Sequence, residues 1–295
     1  MKHPDTVYLL DASIYFFRAW FGMPDYFHDN QGRPLNGVYG YLKTLLSHIS
    51  PHQPSHMVAA FDESLFSGFR HQLYPQYKAN RALPDESLSY QLILAKTLTE
   101  QLGIPCLGSD QYEADDLIAW GAYSARSINK RCVIISRDKD LAQLVMPGDT
   151  LLDWVDDSQH NHDNLQQKWG IALDVIPDLL ALIGDTVDNI PGIAGIGAKT
   201  ATALIQHFGS LDQLYQNLDD IQVLPLRGTK RIQACLQGTE EQALLYRQLI
   251  RLHYPQTPLA ETELATQPID AEGFKLLLGE LGLGKAFNTL AEKYL

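Results

Sequence analysis

Three short apolar runs, residues 6–10, 56–61 and 131–136, are set apart by long stretches of helical periodicity, and each runs into an aspartate: Asp11, Asp62, and Asp138 with Asp140. Within each run the apolar residues are continuous rather than alternating, which is the mark of strands covered on both faces. Strands of that kind alternating with helices (14–18, 38–49, 86–102) predict an α/β fold built on a mostly parallel central sheet flanked by helices. Two further short strands are expected at 104–107 and 150–155. Open α/β sheets place their sites at the carboxyl ends of the strands, where these acids fall. A single aspartate after a strand is an ordinary helix cap; acids recurring there in one chain form a pattern that caps do not predict.

Ser109-Asp110-Gln111-Tyr112-Glu113-Ala114-Asp115-Asp116 leads into the apolar run Leu117-Ile118-Ala119-Trp120. The spacing predicts the first turn of a helix, capped by Ser109 or Asp110, with acids gathered at the positive end of the helix dipole. Glu113 and Asp116 then share a face. Three carboxylates within four positions repel one another, so each is either solvated or answered by a cation. The plain alternative is a solvated, dipole-favoured first turn.

At 295 residues the chain is long enough for one large α/β domain with a helical extension, or for two domains. The division falls near residue 165: residues 1–165 carry the strands, and 166–295 read as almost wholly helical. A net charge of −12 weighs against a nucleic-acid partner until its distribution is considered. Residues 64–84 contain no acid but carry Arg70, Lys78 and Arg81 with His71, Tyr74 and Tyr77 interleaved, and Pro75 and Pro84 interrupt any helix there. Residues 189–211, with Lys199, and 221–239, with Arg227, Lys230 and Arg231, are likewise free of acids. Basic surface kept apart from acids is what a phosphate-binding face needs. Cys106, Cys132 and Cys235 have no metal or redox spacing and read as reduced thiols. The polar start and the lack of any apolar stretch long enough to span a bilayer lead to the expectation of a cytoplasmic protein with no signal peptide and no membrane partner.

In the last third, Gly184-Asp185-Thr186-Val187-Asp188-Asn189-Ile190-Pro191-Gly192 adds two acids, and Gly195-Ile196-Gly197-Ala198-Lys199-Thr200 opens a helix that runs to about residue 208. A Gly-x-Gly turn at a helix start lets a phosphate approach bare amides, with the dipole and a lysine assisting. It is also compatible with a tight turn between packed helices. Beside further acids and basic windows, a DNA-backbone clamp is the better reading.

Asp11 after the first strand, Phe61-Asp62, the Tyr112-Glu-Ala-Asp-Asp116 run, Asp138-Lys-Asp-Leu141, and the Gly184-to-Ala201 segment occur in an order and at a spacing that resemble the 5′ nuclease (flap endonuclease) family. Within that family the likeness is to the 5′–3′ exonuclease domain found at the N-terminus of bacterial DNA polymerase I. It covers nearly the whole chain, and the chain's end soon after the helical region is that expected of a free-standing member. The resemblance implies a PIN-like 5′ nuclease core with a helical arch at about 66–90, and a helical region with a helix-hairpin-helix DNA clamp at about 184–209. It implies a divalent-metal-dependent 5′–3′ exonuclease and structure-specific flap endonuclease, cutting near single-strand/duplex junctions.

Carried over position by position, the resemblance implies that Asp11, Asp62, Glu113, Asp115 and Asp116 serve one divalent ion and Asp138, Asp140, Asp185 and Asp188 the other. Hard oxygen donors suit Mg²⁺ or Mn²⁺, and two ions roughly 4 Å apart would activate a water on one side of a phosphodiester and stabilise the leaving oxygen on the other. Arg18, Lys78 and Arg81 match basic positions that face the scissile phosphate. Tyr77 would stack on an unpaired base, the alternative being a half-buried helix face; Arg70 would add a DNA contact, the alternative being a solvated charge. Lys78 and Arg81 would point the same way if their segment is helical. Gly192, Gly195, Gly197, Lys199 and Thr200 would form the duplex clamp, with a K⁺ ion held by backbone carbonyls as in other members. Arg227 and Lys230 would add phosphate contacts or simply start a helix. Residues 274–295 are expected to be helical and to pack back on the core. The implied partner is DNA with a 5′ single-stranded flap or end, with RNA-primed DNA as a variant, acted on by a monomer.

Arg137, directly before Asp138, departs from the small residue common there and puts the second metal site in question. Every matched acid is filled, which favours an active enzyme over a non-catalytic DNA-junction binding protein. A PIN-like ribonuclease would share a smaller acid quartet but not the clamp.

Overall fold

The computed structural model describes residues 5–49, 54–64, 67–81, 85–287 and 292. Its centre is a six-stranded sheet of β1 (Thr6–Asp11), β2 (Met57–Ala60), β3 (Cys106–Leu107), β4 (Arg131–Ile135), β5 (Thr150–Leu152) and β6 (Gln159–Asn161), in the order β3-β2-β1-β4-β5-β6. All neighbours are parallel except β5 and β6. β6 is polar, lies at the edge and has no apolar pattern to announce it. β5 is shorter than the run 150–155 because Asp153 folds into a turn, its Oδ1 accepting the Val155 amide at 2.8 Å.

The helices are α1 (Ala12–Gly22), α2 (Asn36–Ile49), α3 (Phe69–Leu73), α4 (Glu86–Gln101), α5 (Ala114–Ser127), α6 (His162–Trp169), α7 (Ile176–Ile183), α8 (Ala198–Phe208), α9 (Leu211–Gln216), α10 (Thr229–Leu236), α11 (Glu240–Ile250), α12 (Glu261–Leu264) and α13 (Ala271–Glu280). Alternate residues of the buried strands feed two apolar layers. Leu9, Val58 and Ile134 face α5 in one layer, which continues into the helical region through Leu182, Leu204 and Leu249. Leu10, Ala59 and Ile135 face α1, α2, α4 and α13 in the other.

From β1 the chain builds outward to β2 and β3, then crosses back to β4 on the other side, so the strand order reverses between β1 and β4. The crevice at such a reversal is where an open sheet binds its ligands, and here it is flanked by Asp11 and Asp138. None of the described helices is long and apolar enough to cross a membrane. Pro84 and the final part of the expected 274–295 helix lie outside the described residues.

Candidate active site

The acids at the strand ends are held by short polar bonds that leave their carboxylates gathered on one side of the sheet edge. Asp11 closes β1 and caps α1: its Oδ1 accepts the Ile14 amide at 3.0 Å and its Oδ2 accepts the Ser136 hydroxyl at 2.7 Å. Ser136 Oγ also accepts the Asp138 amide at 3.0 Å, so one hydroxyl ties the two acids across the β1/β4 crevice. Asp138 Oδ1 in turn accepts the Asp140 amide at 2.8 Å. The Asp62 amide donates to Ser13 Oγ at 2.7 Å, while its Oδ1 accepts the Ser64 hydroxyl at 2.9 Å. Asp185 and Asp188 enter from the loop after α7, which is closed by paired bonds between the Asp185 and Ile190 backbones at 2.7 and 2.8 Å.

Burial pushes the Asp11 carboxyl up to about 7, and the nearby charges of Asp138 and Asp62 add to the rise against the bonds from Ile14 and Ser136. Asp140 is likewise pushed up to about 7 by burial, then by Asp138, Asp185 and Asp188. Asp115, in the first turn of α5, lies well above the carboxylate range through burial and the charges of Asp138 and Asp11. Burial also raises Asp62 and Asp188. These acids feel one another's charge, which joins both halves of the expected cluster in one electrostatic unit.

Among the described residues, no three Asp, Glu, His or Cys side chains already stand as a cage around one point. The donors are nevertheless all oxygens, and the buried Asp140 Oδ1 has no hydrogen-bond partner. An oxygen-only set with an unanswered carboxylate oxygen fits a hard divalent cation.

The cations face this bowl from the stretch after α3. Lys78 Nζ lies 2.7 Å from Glu113 Oε1, Arg81 Nη2 2.9 Å from Asp188 Oδ1, and the Tyr77 hydroxyl sits between Glu113 Oε2 at 3.0 Å and Asp188 Oδ2 at 2.9 Å. Burial alone would raise Glu113, but the charges of Lys78 and Arg70 hold it down to about 2. Residues 75–80 form turns rather than a helix. Lys78 has a φ of +53°, and its amide bonds to the Asp188 carbonyl at 3.0 Å. Lys78 and Arg81 thus converge on Asp188 through turn geometry, not helical spacing.

Several residues take other places than the sequence pattern predicts. Asp116 is fully buried, and both of its oxygens are committed: Oδ1 to Arg70 Nη2 at 2.7 Å and the His253 amide at 2.8 Å, Oδ2 to Arg70 Nη1 at 2.5 Å and the Glu113 amide at 3.0 Å. It has no lone pair directed at the bowl and is not placed as a metal ligand. Arg70 is only 3% exposed, so it answers this acid rather than a phosphate. Tyr77 is 2% exposed and presents no open ring face for stacking. Helix α5 begins at Ala114 with Glu113 as its cap; Ser109 Oγ instead accepts the Gln111 and Tyr112 amides, making a separate turn ahead of the helix. Arg137 pairs with Asp153 at 3.0 Å.

Arg18, Lys199, Arg227 and Lys230 are exposed and Thr200 is half-buried. Gly192 and Gly195 adopt φ of +70° and +84°, and Gly195 packs against the Cys235 side chain of α10. Gly197, the cap of α8, has open space where a side chain would stand. Sequence reasoning missed Ser13, Ser64 and Ser136; a serine two positions from an acid at the end of a strand was their one signal. It also missed Asn189, with φ of +57° and Nδ2 2.6 Å from the Gln76 carbonyl, which pins the acid loop to the basic stretch.

Residues 6–170 match the family model for the N-terminal resolvase-like domain of 5′–3′ exonucleases, and residues 171–272 that for their C-terminal SAM fold. The 5′–3′ exonuclease of Aquifex aeolicus is 35% identical over 217 residues, which cover 74% of each chain. The DNA polymerase I of Rhizobium leguminosarum is 36% identical over 259 residues, 85% of this chain but 25% of the polymerase, so the chain spans about a quarter of that relative. In fold it is similar to the bacteriophage T5 D15 flap endonuclease, solved as a pseudo-enzyme–product complex with DNA and metal ions, with a TM-score of 0.60, 20% identity and coverage of 97% and 99% of the two chains. With matched sequence across both halves and the acid bowl at the sheet reversal, the chain belongs to the 5′–3′ exonuclease family.

Proposed function

We propose that the chain is a divalent-metal-dependent 5′–3′ exonuclease and structure-specific flap endonuclease that hydrolyses phosphodiesters of DNA near single-strand/duplex junctions. The observation that carries this reading is the gathering of Asp11, Asp115 and Asp140 about Asp138, whose charge adds to the rise of each, with the buried Asp140 Oδ1 left unanswered. Asp11, Asp62 and Asp115 would hold or hydrate one Mg²⁺ or Mn²⁺, and Asp138, Asp140 and Asp185 the second. When bound, two such ions supply an activated water and charge neutralisation at the leaving oxygen.

The chain's own residues do the rest. Lys78 and Arg81 neutralise Glu113 and Asp188 in the free protein and lie where a phosphate over those acids would take up their donors. Exposed Arg18 offers a further cation outside the bowl. Gly197, Lys199 and Thr200 at the start of α8 would grip the duplex backbone, with Arg227 and Lys230 extending that face.

The experiment is a 5′-flap duplex labelled at the flap end and incubated with Mg²⁺, with EDTA, and with Asp115→Asn protein. Cutting near the junction that requires the ion and disappears in the variant is the expected result. Binding without cutting in Mg²⁺ or Mn²⁺ would overturn the nuclease reading in favour of a non-catalytic junction-binding protein.

A further inference from the structure

The Arg70–Asp116 pair spends its hydrogen bonds on backbone groups of distant segments. Beyond the two bonds between guanidinium and carboxylate, Arg70 Nε donates to the Leu249 carbonyl at 2.7 Å and Nη2 to the Arg251 carbonyl at 3.0 Å. Asp116 accepts the His253 amide at 2.8 Å and the Glu113 amide at 3.0 Å. The pair therefore ties the carboxyl end of α11 to the first turn of α5, where Glu113 and Asp115 stand.

The same end of α11 is tied to the duplex-facing region. Helix α11 packs along α7, and the buried Asp178 of α7 lies 3.5 Å from Arg251 Nη2 and 3.6 Å from Arg247 Nη1 while accepting the Leu211 amide at 2.9 Å. α7 leads directly into the 184–192 loop and α8. A buried ion pair adds little net stability over apolar packing of the same volume. What this one supplies is direction, since a planar guanidinium and a carboxylate fix four backbone groups at set angles.

We propose that Arg70 and Asp116 are positioning residues that set the register between the acid bowl and the duplex-gripping helices, so that DNA held at α8 presents its scissile phosphate to Asp115 and its neighbours. This rests on the nuclease reading above. A substrate held only at the acid bowl does not need that register, whereas one gripped at both places does.

The test compares single-turnover cutting of two flap substrates, one with a duplex arm long enough to reach α8 and one with an arm too short to do so. The proteins are wild type, Arg70→Lys and Asp116→Asn, each checked by far-ultraviolet circular dichroism and thermal melting. The wild type is expected to favour the long arm by about 10-fold or more, and both variants to lose most of that preference, because a misplacement near 1 Å at a reacting centre costs about 100-fold in rate. Mn²⁺ affinity, measured by calorimetry, is expected to stay within about 3-fold in both variants, because neither side chain is a proposed ligand or hydrogen-bonds the carboxylate of one. A long-arm preference kept in folded variants would overturn the proposal. So would loss of Mn²⁺ binding in Asp116→Asn alone, which would restore Asp116 as a ligand, or failure of both variants to fold, which would make the pair a folding determinant only. A wild type that cuts neither substrate would instead overturn the nuclease reading.

Discussion

Lys78 and Arg81 converge on Asp188 from different depths: the Lys78 side chain is 11% exposed and Arg81 43%. Removing one member of a buried pair leaves the other charge stranded and costs about 3–5 kcal/mol, whereas an exposed pair is worth about 0–1 kcal/mol. Arg70, 3.6 Å from Glu113, remains to soften the first loss. Lys78→Met should therefore lower unfolding free energy by about 3 kcal/mol and Arg81→Ala by less than about 1 kcal/mol, read by urea denaturation. Equal stability losses would mean that the Lys78–Glu113 contact does not persist in solution. Ser136 has a different part, since its hydroxyl orients Asp11 and receives the Asp138 amide. Losing such a support typically weakens ion binding about 10–100-fold, and Ser136→Ala should do so in a Mn²⁺ titration while the fold survives. A titration curve matching the wild type would show that the two acids hold their places without it.

At the scale of elements, Gly192 and Gly197 differ in what a side chain would meet. A Cβ on Gly192 would stand 2.4 Å from the Ile183 carbonyl carbon, at a φ of +70°, so the 184–192 loop cannot close over another residue. Gly192→Ala should cost at least about 2 kcal/mol from the left-handed backbone and the backbone clash together. Gly197 has no such neighbour, and its alanine variant should melt within a few degrees of wild type while binding duplex several-fold more weakly in a fluorescence anisotropy titration. Loss of stability in both, or unchanged binding in Gly197→Ala, would contradict this division. Strands β1, β2 and β4 and the acids that follow them were legible because burial on both faces leaves a continuous apolar run, and the reversal of strand order then places Asp11 beside Asp138. The start of α5 was not, because Glu113 is a poor cap by residue type and holds that position with its carboxylate turned to Lys78 and Tyr77 and its amide bonded to Asp116. Arg70 and Tyr77 look like surface groups in a basic window because their partners, Asp116 and the Glu113/Asp188 pair, lie 36 to 111 positions away. No local pattern encodes such contacts. Lys78 and Arg81 were grouped by the resemblance, with helical spacing only as a condition, and a turn rather than a helix brings both to Asp188.

For the whole molecule, gathering like charges at one edge makes stability depend on pH and on divalent ions together. Asp11 and Asp140 are pushed up to about 7 in the fold, whereas in an unfolded chain they titrate near the usual value of 3.8. Between those values the folded state binds more protons than the unfolded one, so unfolding free energy falls as pH rises and the loss is complete above about 7. Glu113 works in the opposite sense, being held down to about 2, and its contribution is lost only as pH falls toward that value. In EDTA the protein should therefore melt at a lower temperature at pH 8.5 than at pH 5.5, by about 8 °C, since two carboxyls each lose about 2 kcal/mol over that interval and a chain of this size shifts by about 2 °C per kcal/mol. A divalent ion that binds the folded state alone supplies the missing countercharge and stabilises by mass action. Millimolar Mg²⁺ should accordingly flatten or reverse the slope, and its apparent affinity should rise with pH across the same interval because binding displaces the protons on Asp11 and Asp140. Thermal melts at both pH values, with EDTA and with Mg²⁺, make the comparison. A melting temperature in EDTA that rises with pH would show that these carboxylates ionise freely in the fold, and that the acid bowl is too well solvated to demand a metal.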